Sequence, residues 1–268
     1  MTNAFKRTGA LKDIASYPLW LQQVVKATER EKRQVVEHEL FALMREARLP
    51  RTAMRKFLTG AWPTIEQFPQ FMAMNLKKLS VGNGAGEDLA RSFLIHNIRV
   101  EQKHAEHWVQ WASSVDLSIE NLKHGSQIEG LSALAHWCWY VSDRASLAVA
   151  IAATNYAVEG VTGEWSCLVC STPTYANSLP EDIRGPATRW LRVHAEYDDE
   201  HPWEALEIVA TLLGHAPSRA EVQAVESAIR STYVYYAMGL DHAMLSMLHG
   251  SFDDTASNAS TLGALHAA

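Results

Sequence analysis

The sequence predicts an all-α protein, a single bundle of about seven helices. Three observations carry this expectation. Helical periodicity runs through almost the whole chain, and no stretch alternates apolar and polar residues long enough to argue for a sheet. The breaks are short local clusters of Gly, Pro, Ser and Asn, none of which resembles an interdomain linker. With 268 residues and 47% hydrophobic content, the chain can also build a full core.

Taken in order, helices are expected near 17–48, 51–79, 86–114, 127–143, 145–171, 182–214 and 218–248. The second contains Pro63 and Pro69 and should bend around them, because proline removes a donor from the helix ladder. The connections "SVGNGAGED" (80–88), "KHGSQ" (123–127), "STPTYANSLPED" (171–182) and "GHAPSRAE" (214–221) are of modest length. Residues 1–250 therefore read as one domain. The segment 251–268 is small and polar with little to bury, and is expected to be a mobile tail.

Composition excludes some functions. A net charge of -6 with interspersed signs offers no basic stripe for phosphates, so nucleic acid is not an expected partner. The start lacks signal-peptide character, and the most apolar run, "SLAVAIAATNYAVEGV" (146–161), is broken by Asn155 and Glu159. No stable membrane insertion and a cytoplasmic location are the expectations. Three cysteines make no disulfide framework, and Cys167-x-x-Cys170, set in an apolar helix, is not read as a redox motif.

Three stretches carry metal-ligand residue types. In "IRVEQKHAEHW" (98–108), Glu101 and His104 are i, i+3 neighbours and project together, whereas Glu106 and His107 point elsewhere. In "AVAIAATNYAVEGVTGEW" (148–165), Glu159 lies among Ala, Val, Ile and Gly, where a lone buried carboxylate costs several kcal/mol and must be paired or bound to a metal. In "HAEYDDEH" (194–201), His194, Asp198 and His201 fall at i, i+4 and i+7 on one face, with Glu196, Asp199 and Glu200 turned away. A solvated helix face would explain the first, and pairing with a buried Arg or His the second.

Together these stretches supply three carboxylates and three imidazoles from three helices, a full shell for two iron ions with positions left for dioxygen and substrate. Zinc is disfavoured, since structural zinc prefers thiolates and catalytic zinc makes do with three protein ligands. Pro202 directly follows His201, so the helix either kinks there or ends near 200 and restarts at Pro202. Trp190 and Tyr156, four residues before His194 and three before Glu159, share those faces and are expected to wall the substrate cavity.

With Glu101-x-x-His104, Glu159 and His194-x-x-x-Asp198-x-x-His201 in this order, and the flanking text "RVEQKHAEHW", "NYAVEG" and "RVHAEYDDEHPWEAL", the chain resembles the haem-oxygenase-like diiron oxidases and oxygenases. The likeness is to the branch that decarboxylates medium-chain fatty acids to terminal alkenes. That resemblance implies a seven-helix haem-oxygenase-like (TenA/PqqC-like) bundle that binds no haem. It implies two Fe(II) per chain, dioxygen as co-substrate and an external reductant. Glu101, His104 and His194 would hold one iron; Glu159, Asp198 and His201 would hold or bridge to a weaker second. The implied partners are a medium-chain fatty acid, dodecanoic acid foremost, and an electron donor, with the chain a monomer or homodimer. The alternatives are a helical lipid- or metal-binding protein without turnover, or an enzyme like thiaminase II or the last enzyme of pyrroloquinoline quinone synthesis.

Overall fold

Apolar stripes on long helices can be buried only against one another when no sheet is present, and the observed architecture is helix packed on helix. The computed structural model describes residues 13–80, 82–124, 129–197 and 201–249. Among the described residues no strand occurs. The expected tail at 251–268 lies outside them.

Among the described residues there are twelve α-helices where seven were expected, because two long segments divide, two short helices form between the expected ones, and 182–214 is described in two parts. The segment 17–48 is two helices, α1 (Leu19–Val36) and α2 (Glu39–Arg45). The break falls at His38, whose Nδ1 accepts a hydrogen bond from the Leu40 amide at 3.2 Å and so caps α2. Neither Gly nor Pro marks it. Next come α3 (Arg51–Leu76), α4 (Ala85–Ser113), the short α5 (Ile119–His124) and α6 (Glu129–Arg144). Pro63 and Pro69 lie inside α3, both buried. The expected helix 145–171 is α7 (Leu147–Ile151) and α8 (Glu159–Cys170) joined by a widened π-helical stretch, Ala152–Val158. A short α9 (Thr174–Ser178) leads to α10 (Glu181–Tyr197), α11 (His201–Leu213) and α12 (Arg219–His249).

The packing centres on α4, which lies against α3, α10 and α11, while α8 packs on α10 and α12 on α1, α3 and α6. Phe41, Phe57, Trp108, Trp111, Trp165 and Trp190 are fully buried between these helices. Phe41 stacks on Trp165 at 4.3 Å between ring centroids, and Trp108 donates its indole N–H to the Leu58 carbonyl at 2.9 Å, tying α4 to α3. Each such aromatic pair adds about 0.5–1.5 kcal/mol beyond its area burial. The crossing of α6 and α12 is closer still: a Cβ at Gly130 would stand 2.6 Å from the backbone nitrogen of Gly239. No helix among the described residues is long and apolar enough to cross a membrane.

Candidate metal centre

α4 runs between α3, α10 and α11, so the residues on its inner face meet those of three neighbours. Glu101 and His104 are on that face, one turn apart, and are buried. The His104 Nδ1 lies 3.0 Å from Glu101 Oε2. From α10 comes His194, its ring centroid 4.6 Å from that of His104. Glu159 opens α8 directly after the π-helical stretch, and His201 is the first residue of α11. The His201 Nδ1 lies 3.3 Å from Glu159 Oε2.

Five of the six expected ligands therefore converge; the sixth, Asp198, lies outside the described residues. They form two groups whose ligand atoms lie within 4.8 Å of one another: Glu101, His104 and His194, and Glu101, Glu159 and His201. Glu101 belongs to both. All five are at most 7% exposed. By contrast Glu106 and Glu196 are exposed, as is Glu164, which pairs with Lys32. His107 is half-buried, its centroid 6.5 Å from that of His104.

The electrostatics follow from burial. Burial pushes the His194 imidazole down to about 3, helped by the neighbouring His104, so it is neutral and able to ligate at physiological pH. Its Nδ1 donates to the Trp190 carbonyl at 2.8 Å, which puts the ring's lone pair on Nε2, the nitrogen that could ligate a metal. Burial also acts to raise Glu101, but His104, with His194 and His201 behind it, outweighs this and holds the carboxyl below its ordinary value. Glu159 goes the other way: burial raises it, and the Glu101 carboxylate adds to this, against the opposing pull of His201 and Asn155. Two carboxylates this close in a dry site call for a cation. Glu159 Oε2 faces the His201 Nδ1 at 3.3 Å without a well-aligned hydrogen bond. A buried set of imidazole nitrogens and carboxylate oxygens, in two groups that share one glutamate, fits iron.

Asn155 was not among the expected site residues. Its amide donates to Glu159 Oε1 at 2.6 Å, and its own oxygen accepts from Thr154 Oγ1 at 3.1 Å. The signal was an amide four residues before an acid in an otherwise apolar run. The π-helical stretch was also unforeseen, and such widened turns occur frequently at functional sites. Within it Tyr156 is buried and lines a cavity of about 50 Å³ with Gly160, Pro202 and Tyr233, next in chain to Glu159 and His201. Trp190 stacks on His194 at 3.8 Å and also on Trp111 and Trp165. Cysteine is missing from the cluster: Cys138 is buried in the core, and Cys167 and Cys170 are exposed.

A model of iron-containing redox enzymes matches residues 55–236, a span that holds all five converging residues. The chain belongs to that haem-oxygenase-like family. The likeness extends to solved structures. A TenA homologue from Pseudomonas syringae pv. tomato is 46% identical, with a TM-score of 0.86 over 91% of this chain and 100% of its own. A TenA homologue from Pyrococcus furiosus (16% identity, TM-score 0.67, 84% of this chain and 100% of its own) shares the fold. So does a domain of unknown function from Shewanella denitrificans (13%, TM-score 0.67, 91% and 97%). None of the curated proteins matches the chain.

Proposed function

We propose that this member of the family is a non-haem iron, dioxygen-dependent decarboxylase that converts a medium-chain fatty acid, dodecanoic acid foremost, to a terminal alkene and carbon dioxide. The likeness of its motifs to UndA, the undecene-forming decarboxylase of pseudomonads, motivates the reading. The observation that carries it is the pair of buried ligand groups sharing Glu101.

Glu101, His104 and His194 would hold one iron, and Glu159 and His201, with Asp198, a second and weaker one. Bound iron would supply the activation of dioxygen needed to remove hydrogen from C3, after which loss of the carboxyl leaves a double bond between C2 and C3. The chain's own residues do the positioning. His194 is held in one tautomer by the Trp190 carbonyl, and Asn155 fixes the Glu159 carboxylate through Oε1. The indoles around Trp190 keep water from that side of the site. Tyr156 is our candidate for contact with the alkyl tail, although its cavity of about 50 Å³ must widen to take one. Trp190, its faces taken by His194 and two indoles, would meet substrate only with its edge.

The stoichiometry needs an external donor. The fatty acid gives up two of the four electrons that take dioxygen to water, and a reductant supplies the other two with protons from solvent. A thiaminase-type hydrolysis is disfavoured because no cysteine stands in the cluster. The test is headspace analysis for 1-undecene with Fe(II), reductant and dodecanoate, beside His194→Ala. Product from the wild type and loss in the variant are expected; equal product, or none from iron-loaded wild type, overturns the reading.

A further inference from the structure

The buried tryptophans form a connected path as well as a core. From His194 the path runs to Trp190, stacked at 3.8 Å between centroids with planes 29° apart. Trp190 stacks on Trp111 at 5.7 Å and 26°. The Trp111 indole N–H donates to the Tyr175 hydroxyl at 2.6 Å. Tyr175 in turn lines a surface groove of about 280 Å³, together with Cys170, Glu181, Arg184 and Arg192. The two guanidiniums are held by backbone: Arg184 Nη2 donates to the Leu179 carbonyl at 3.1 Å and Arg192 Nη2 to that of Gly185 at 3.0 Å.

We propose that Trp190, Trp111 and Tyr175 are an electron relay from this groove to the metal centre, and that the groove seats a small anionic one-electron reductant. The proposal rests on the iron reading above. Electron transfer between rings falls off exponentially with the gap, and here each gap is a stacking contact or one hydrogen bond. The chemistry of the indoles favours conduction over trapping. An oxidised tryptophan becomes a dead end when its N–H proton is lost to a base, but Trp190 Nε1 is buried with no hydrogen-bond partner among the described residues. The Trp111 proton faces only a phenol oxygen, a poor base. The groove's volume suits a small molecule rather than a protein partner, and two arginines against one glutamate favour a negative charge.

The balance is simple. With iron bound, dioxygen activated there would be the oxidant; Trp190 would give the centre one electron, Trp111 would refill Trp190, and the donor in the groove would refill Trp111 across Tyr175. No bond in the relay forms or breaks, and two donor molecules, each oxidised by one electron, meet the external demand of the reaction.

The test drives the same tryptophan states in reverse. In a Cys167→Ser background Cys170 is the one exposed thiol, because Cys138 is buried, and a ruthenium photosensitiser attached there sits at the groove. Flash oxidation of the label without oxygen should produce a tryptophan radical in metal-free protein and oxidise Fe(II) in loaded protein. Trp111→Phe and Tyr175→Phe should each slow both events by an order of magnitude or more, with Trp62→Phe, at a buried indole of α3 outside the path, leaving them unchanged. Absence of the radical, or rates indifferent to both relay variants, overturns the relay. Protein that takes up no iron would defeat the iron reading, while the metal-free radical would still decide the relay. For the donor, ascorbate is the probe: in unlabelled protein oxidised by free sensitiser, it should quench the radical faster at low salt. Arg184→Gln with Arg192→Gln should abolish that salt dependence, and a salt-independent wild-type rate overturns the anionic donor.

Discussion

His194 is oriented by its own helix: its Nδ1 donates to the Trp190 carbonyl one turn back, at 2.8 Å, while the Trp190 ring stacks on the imidazole at 3.8 Å. One residue thus fixes both the tautomer and the ring plane of a candidate ligand, which is the usual work of a separate outer-shell partner.

This burial predicts a pH dependence. The His194 imidazole is pushed from 6.5 down to about 3, so between those values the folded chain binds fewer protons than the unfolded one. Stability of the metal-free protein contributed by this group therefore rises with pH across that window and is lost as pH falls, by up to about 1.4 kcal/mol per pH unit. Glu159, held above its ordinary value by burial, acts in the opposite sense above about 4.5. The difference between wild type and His194→Gln isolates the histidine. Thermal midpoints of the two proteins should diverge with pH, and parallel curves from pH 3 to 6.5 would count against a buried neutral imidazole.

The sharing of Glu101 between the two groups predicts unequal losses of iron. Glu101→Ala removes a donor from both groups and should leave little bound metal. His201→Ala leaves Glu101, His104 and His194 in place and should retain one iron per chain. Metal analysis after loading and desalting distinguishes them; equal iron in the two variants would rule out a bridging glutamate.

Asn155→Ala deletes the donor to Glu159 Oε1 and leaves a buried acceptor open, a cost of about 1–3 kcal/mol in the metal-free protein. Outer-shell partners of this kind are worth about 10–100-fold in metal affinity. The loss should fall on the group containing Glu159, so a titration with Fe(II) should show one site weakened and the other intact. Unchanged affinity at both would reduce Asn155 to a core amide.

Much of this site was legible in the sequence, because α4 obeys the α-helical period on which face assignments rest. Glu101 and His104 sit together as their spacing demands, and Glu106 points outward. The π-helical stretch could not be read, since "AATNYAV" carries no composition cue for hydrogen bonds reaching five residues back. Each residue there advances by less than the ~100° of an α-helix, so an α-helical count from Glu159 does not place Tyr156. The helix boundary at His38 was invisible for a different reason: histidine acts there as a cap, and neither Gly nor Pro announces it. Around Pro202 the sequence allowed a kinked helix or a restart, and that choice falls on 198–200, outside the described residues; from His201 on the chain is helical, with Pro202 buried in it.

Two glycines test how far the helix spacing is set by missing side chains. A Cβ at Gly130 would stand 2.6 Å from the Gly239 nitrogen and 2.7 Å from the Met238 carbonyl carbon. Both are backbone atoms and cannot rotate away, so α6 and α12 must separate. Gly130→Ala should therefore cost about 1–3 kcal/mol, the scale of overpacking a core. At Gly160, between two metal-site helices, a Cβ would meet only Pro202, at an ordinary 3.5 Å. Gly160→Ala should leave stability unchanged or raise it by about 0.5–1 kcal/mol through helix propensity. Denaturant midpoints of the two variants should shift in opposite directions or differ by the full cost of Gly130→Ala. Equal destabilisation would mean that α8 and α11 are packed at their site as tightly as α6 and α12 are at their crossing.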